Sequence, residues 1–211
     1  MTIRVLLVDD HTVMREGLHA LLEKRPDIEV IGEAGNGLDA LKMVAERAPD
    51  VVVMDIAMRE LNGIEATRRI RARHPHVRVI GLSTHADKRY VLEMLEAGAL
   101  GYLLKESAAE ELYRAIRAVA RNHRYLSKHL AEAVAHHRPG QRGAAMACQL
   151  TPREREVLQL LAEGRSSPYI GQRLNISART ADAHRRHIME KLNLHSVADL
   201  TRYAIREGIA P

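Results

Sequence analysis

The chain has 211 residues, of which 46% are hydrophobic and 28% charged, enough for one large domain or two small ones with separate cores. One cysteine, Cys148, excludes an internal disulfide and fits a reducing compartment, and the apolar run that starts at Ile3 stops at Asp9-Asp10, too short for a signal peptide or a membrane span. The net charge of +5 is uneven, −2 over residues 1–120 and +7 over 121–211, so a polyanion is expected to face the back half.

Tryptophan and phenylalanine are absent, which argues against stacking single strands and for duplex DNA. A cytoplasmic protein with no membrane partner is the expectation.

In chain order, Ile3 to Val8 reads as a strand followed by Asp9-Asp10. A helix starts near Thr12, with Val13, Leu18, Leu21 and Leu22 on its inner side. Ile28 to Ile31 form a second strand. Gly35-Asn36-Gly37 turns the chain into a helix carrying Leu38, Leu41, Met43 and Val44. Val51-Val52-Val53-Met54 is an unbroken apolar run, the mark of a strand buried on both faces, and it ends in the carboxylate of Asp55. A helix from about Asn62 to His74 follows, then a strand from Val77 to Leu82 ending in Ser83-Thr84. Another helix runs from about Asp87 to Ala97. Gly101 to Leu104 make a fifth strand stopped by Lys105, and a last helix carries Leu112, Ile116 and Val119. Five strands alternating with five helices specify an α/β doubly wound, five-stranded parallel sheet of flavodoxin-like type.

Ligands in such sheets sit beyond the carboxyl ends of the strands. The residues there are Asp9, Asp10, Asp55, Ser83 and Lys105. Each has an ordinary structural reading: Asp10 or Asp55 as a cap, Ser83 as a turn former, Lys105 as a solvated strand end. Together they put three carboxylates, a hydroxyl and one ammonium on one rim. Clustered carboxylates repel unless a hard cation joins them, and oxygen ligands with room for water suit Mg²⁺. The lysine then meets an added anion, so the pattern points to phosphoryl transfer.

On these residues, the front half resembles the receiver domain of bacterial two-component response regulators. The resemblance implies that Asp55 accepts a phosphoryl group from a sensor histidine kinase. It also implies that Asp10, Asp55 and the backbone carbonyl of Ala57 ligate Mg²⁺, with Asp9 acting through water. Lys105 would pair with the phosphoryl oxygens. Ser83 would be the switch hydroxyl, and Tyr102 the switch aromatic that turns inward. Ala57 and His85 would tune phosphoryl lifetime. Arg59 departs from the proline usual at its position.

Residues 123–148 read as a linker. Ser127 could cap a short helix there with Leu130 and Val134, and Gln141 to Ala145 has flexible composition. His136-His137 has no acid or thiol nearby and reads as solvated linker. In Leu150-Thr151-Pro152-Arg153-Glu154, Thr151 is an N-cap, Pro152 sits at the first helical position and Glu154 completes a capping box. Val157, Leu158, Leu160 and Leu161 form the apolar face, and Gly164 ends the helix. Ser167-Pro168 opens a second helix, Ser177 caps a third running to about Leu192, and a fourth follows Ser196. The turn at Asn175-Ile176-Ser177 makes a small all-α four-helix unit with a helix-turn-helix. At 100° per residue, Ala181, His184, Ile188 and Leu192 share one side of the third helix, and Arg179, Asp182, Ala183 and Arg186 the other.

Thr151-Pro152-Arg153-Glu154, then Ser177, Thr180, His184, Ile188 and Lys191-Leu192, resemble the LuxR-type helix-turn-helix. With the receiver at 1–122 and this domain at 149–211, the chain resembles NarL/FixJ-type response regulators. The resemblance implies that Asp182, Ala183 and Arg186 face base edges and that Arg179, Arg185 and Lys191 lie near phosphates. It further implies a homodimer when phosphorylated or on DNA, with Val197 and Leu200 as contacts. Asp182 could select cytosine by accepting from its N4. Gly171 stands where alanine is common and Ala181 where valine is, so some loss of stability is expected. Two rival readings are a regulator acting independently of phosphorylation and an aspartyl-phosphate phosphatase. The phosphatase needs a second acid two residues after the nucleophile, and Ala57 stands there. A dedicated enzyme is therefore not expected.

Overall fold

The run Val51–Asp55 (β3) is buried along its whole length and lies inside a parallel sheet, in a computed structural model that describes residues 2–84, 88–106, 109–127 and 150–210. The chain divides into two units, Met1–Pro139 and Gly140–Pro211. In the first, β1 (Ile3–Val8), α1 (Thr12–Leu22), β2 (Ile28–Ala34) and α2 (Gly37–Arg47) precede β3. After it come α3 (Gly63–Arg73), β4 (Arg78–Ser83), α4 (Lys88–Glu96), β5 (Gly101–Leu104), α5 (Ala109–Ala120) and β6 (Tyr125–Leu126). The sheet order is β2-β1-β3-β4-β5-β6, all parallel.

Alternation along the strands sorts the core into two layers. Leu6, Val8, Val52 and Met54 pack with Val44, Ile70 and Met94 of α2, α3 and α4. Val5, Leu7, Val51 and Val53 pack with Leu18 and Leu22 of α1 and with Ile116 and Val119 of α5. Each such side chain contributes about 1.5–3 kcal/mol on burial. The link from β3 into α3 depends on Gly63. Its N–H donates to the Ile56 carbonyl at 2.9 Å, and a Cβ there would fall 1.9 Å from the Asp55 carbonyl oxygen. Only glycine lets α3 start this close to the strand end that carries Asp55.

Several expectations need correction. The sheet has six strands, not five, because Tyr125 and Leu126 pair with Gly101 and Tyr102 as a two-residue edge strand. A pair that short leaves no periodicity to read. β2 continues past Ile31 to Ala34, as an edge strand whose half-exposed residues break the apolar pattern. Val77 precedes β4, and Ala97 follows α4. Val13 is 84% exposed and Leu21 39% exposed, rather than facing inward. Val13, in the first turn of α1, and Leu21 both line an open cavity with Leu18, Leu82 and Leu103, which leaves them exposed to solvent. Asp87, His85, Cys148, the helix proposed after Ser127 and the His136-His137 pair lie outside the described residues, as does the Gln141 to Ala145 stretch.

The second unit contains α6 (Pro152–Ala162), α7 (Ser167–Leu174), α8 (Ala178–Leu192) and α9 (Val197–Arg206). The Thr151–Glu154 capping box is formed in both directions. Asn175 and Asn193 end α7 and α8 in the left-handed region, at φ 56° and 51°, which asparagine tolerates better than most residues. Val157, Leu158, Ile170, Ala181, Ile188 and Leu200 meet in one core. Gly171 leaves no gap to weaken it: an added Cβ would approach the Ile176 carbonyl to 2.8 Å and the Ala178 nitrogen to 3.1 Å. The glycine brings α7 against the turn into α8, so the expected stability loss does not apply there. No helix among the described residues is long and apolar enough to cross a membrane.

Candidate functional site

The ends of β1, β3, β4 and β5 bring Asp9, Asp10, Asp55, Ser83 and Lys105 to one rim. Asp55 follows the last pairing of β1 with β3, and the Ile56 N–H donates to the Leu82 carbonyl. The Lys105 N–H donates to the Ser83 carbonyl at 2.7 Å, which sets the lysine beside the hydroxyl-bearing residue. Ser83, Asp9 and Asp55 are buried. Lys105 Nζ stands 2.7 Å from Asp9 Oδ2 and 2.9 Å from Asp55 Oδ2, bridging the two carboxylates. Asp9 is thus in direct contact with the lysine. Asp10 is half-buried at the rim, and Ala57 is half-buried two residues past Asp55.

The charges do not balance. Burial, and then the nearby Asp9 charge, push the Asp55 carboxyl up to about 6, although Lys105 pulls the other way. Burial works against the Lys105 ammonium, but its hydrogen bonds to Asp9 and Asp55 and their charges hold its pKa above the ordinary value. One ammonium facing three carboxylates leaves negative charge that a dication would neutralise. One ligand atom each from Asp9, Asp10, His11 and Asp55 lies within 4.8 Å of all the others, so the donor set fits a hard cation.

His11 was not singled out in the sequence. Its Nδ1 lies 3.2 Å from Asp9 Oδ1 and 3.0 Å from Asp10 Oδ1, and its N–H donates to Asp9 Oδ1 at 2.9 Å. The Asp-Asp-His adjacency at a strand end was the available signal. Arg15 and Glu33 were also missed. Arg15 Nη1 donates to the Asp9 carbonyl at 2.7 Å, and its Nε to Glu33 Oε2 at 2.8 Å. Tyr102, expected to turn inward on switching, already has its ring fully buried, close over Gly81 and Met94.

In the second unit, Arg179, Ala183 and Arg186 are exposed along α8, opposite the buried Ala181 and Ile188. Asp182 is engaged within the domain. Ser167 Oγ donates to its Oδ1 at 2.6 Å, and Arg185 Nη2 lies 3.4 Å from the same oxygen. Lys191, expected near phosphate, pairs with Glu154 at 3.0 Å, and His187 lies 3.3 Å from the same carboxylate. Glu154 is held below the ordinary carboxylate range: burial opposes this, but the Thr151 N–H and Lys191 outweigh it. Val197 is 46% exposed, whereas Leu200 is 0% exposed. Leu200 therefore belongs to the core of its own domain and not to a contact surface. Ile205, two turns beyond Val197 on α9, is also exposed, at 52%.

Two family models match the chain. Residues 5–117 match the response regulator receiver domain, and residues 148–204 match the bacterial regulatory proteins of the luxR family. The transcriptional regulatory protein LiaR of Bacillus subtilis is 42% identical over 208 residues, covering 98% of this chain and 99% of its own. The response regulator UvrY of Escherichia coli is 37% identical over 209 residues, 98% of this chain and 95% of its own. Among solved structures, the response regulator ChrA of a heme-sensing two-component system superposes with a TM-score of 0.54 at 34% identity, covering 99% of this chain and 98% of its own.

Proposed function

The chain belongs to the two-component response regulators that join a receiver domain to a LuxR-type DNA-binding domain and act as transcription regulators, and from that premise we propose that Asp55 is its phosphoacceptor. The observation that carries this is the Lys105 ammonium set between Asp55 and Asp9 at 2.9 and 2.7 Å. With its pKa at about 6, the Asp55 carboxylate is mostly ionised at neutral pH and can act as a nucleophile. Its oxygen forms a bond to the phosphorus of a phosphohistidine on a sensor kinase. The phosphorus–nitrogen bond breaks, and its electron pair stays on the imidazole. Lys105 then exchanges its carboxylate contact for the new phosphoryl oxygens, and Ser83 hydrogen-bonds another of them.

Mg²⁺, held by Asp10, Asp55 and the Ala57 carbonyl with Asp9 in support, would supply charge neutralisation on the phosphoryl group. The partners are a sensor histidine kinase, double-stranded DNA and a second copy of the chain, in a cytoplasmic setting. Arg186, Arg179 and Ala183 offer the DNA-facing surface of α8, and the exposed Val197 offers a dimer contact. The chain is a switch and not a dedicated enzyme.

Labelling tests the assignment. With Mg²⁺ and a small phosphodonor, the wild type should gain one phosphoryl group that hydroxylamine removes, and Asp55→Asn should gain none. Equal labelling of the variant would overturn the Asp55 role.

A further inference from the structure

The turn Asp9-Asp10-His11 carries two of the rim's acids, and its position sets how far they stand from Asp55 on the neighbouring strand. The Asp9 N–H still pairs with the Ala34 carbonyl of β2 at 3.1 Å. The Asp9 carbonyl takes a hydrogen bond from Arg15 Nη1 at 2.7 Å. Arg15 stands in the first turns of α1, and its Nε donates to Glu33 Oε2 on β2 at 2.8 Å. The other Glu33 oxygen, Oε1, lies 2.6 Å from Nδ1 of His19, one turn further along α1. His19 Nε2 in turn lies 3.3 Å from Glu23.

The hydrogen bond from His19, with that from Arg15, holds the Glu33 carboxyl below its ordinary range, and the same bond holds His19 above its own. Arg15, Glu33 and His19 are partly shielded, at 18%, 29% and 34% exposed, whereas Glu23 is exposed.

A guanidinium presents its donors in a rigid planar fork. Anchoring its Nε on a β2 carboxylate therefore dictates where its Nη1 lies, and with it the Asp9 carbonyl. The carboxylates of Asp9 and Asp10 follow from that backbone position. Mg²⁺ demands near-octahedral geometry and tolerates little displacement of its ligands.

We propose that Arg15, clamped by Glu33, is a positioning residue that fixes the Asp9–Asp10 turn for cation binding. It touches neither the phosphoryl group nor the cation. Its effect falls on the cation affinity of the site and, through that, on the phosphorylation rate at limiting Mg²⁺. A lysine at this position is a point donor that cannot hold both the carbonyl and the carboxylate in one plane. This inference rests on reading the rim as a Mg²⁺-dependent phosphoacceptor site.

The experiment titrates Mg²⁺ calorimetrically into the full chain and into Arg15→Lys and Glu33→Gln, and follows phosphorylation by a small phosphodonor across Mg²⁺ concentrations. Thermal unfolding without cation is recorded alongside. Arg15→Lys should weaken Mg²⁺ binding about tenfold and shift half-saturating Mg²⁺ equally. Its rate at saturating Mg²⁺ should stay within about twofold of wild type. Glu33→Gln should shift in the same direction by less, since Arg15 keeps its bond to the carbonyl. The double variant should match Arg15→Lys alone. A lower melting temperature with unchanged Mg²⁺ affinity in both single variants would overturn the role of Arg15. Failure of the wild type itself to bind Mg²⁺ would instead overturn the reading of the site.

Discussion

Asp55 carries an electrostatic cost created by its own position. Buried beside Asp9, its carboxyl titrates at about 6 where the unfolded chain titrates at 3.8. The folded state therefore binds this proton more tightly than the unfolded state. Stability contributed by the protonated form is lost as pH rises from about 4 through about 6, and stays lost above that. At 1.36 kcal/mol per pKa unit, the penalty at neutral pH without cation is up to about 3 kcal/mol. Asp55→Asn removes it while keeping the shape. Cation-free, the variant should resist urea better than wild type near pH 7.5, by up to about 3 kcal/mol, and this gain should shrink toward zero near pH 4. Mg²⁺ should recover most of the difference in the wild type. A variant no more stable than wild type at neutral pH would contradict a carboxyl raised to about 6, since that value already includes the opposing pull of Lys105.

The helix-turn-helix shows how pairing between helices reassigns side chains that look alike in sequence. Asp182 lies on the outer side of α8, yet its carboxylate accepts from Ser167 at the start of α7. It joins the two helices, and it holds Arg185 at 3.4 Å. Arg186, the next residue, is exposed. Arg186→Ala should flatten base preference at one position of each half-site, costing about 1–3 kcal/mol of discrimination. Asp182→Ala should lower the stability of this domain by about 1 kcal/mol and leave base preference intact. Binding-site selection with both variants, beside their thermal unfolding, separates the two. A changed base preference in Asp182→Ala would restore it as a reader of cytosine.

The same contrast shows what the residue pattern conveys. Asp55 and Lys105 were legible because each ends an apolar strand, and strand ends converge in a parallel sheet. The helices of the second unit were legible from Thr151, Ser177 and their neighbours, since caps are local. The Ser167–Asp182 and Lys191–Glu154 bonds span 15 and 37 residues. The Arg15–Glu33 pair joins a helix to an edge strand. Periodicity carries no trace of such contacts, and two-residue β6 is too short to show any.

At the scale of the whole molecule, the two units carry different chemistry on separate cores. The receiver holds a buried carboxylate in a cluster of acids whose ligand atoms could hold a cation, and the second unit holds an exposed basic helix with Val197 and Ile205 uncovered on α9. Phosphorylation of the first has to change the DNA affinity of the second if the chain is a switch. A full shift from 1:99 to 99:1 requires about 5.5 kcal/mol, so a partial shift is the expected response. The most direct measurement is the affinity of the full chain for its own operator DNA at fixed salt, with and without Mg²⁺ and phosphodonor, for wild type and Asp55→Asn. The account predicts tighter binding on phosphodonor addition for the wild type and no change for the variant. Equal affinities under all four conditions, with the wild type shown to be phosphorylated, would contradict it.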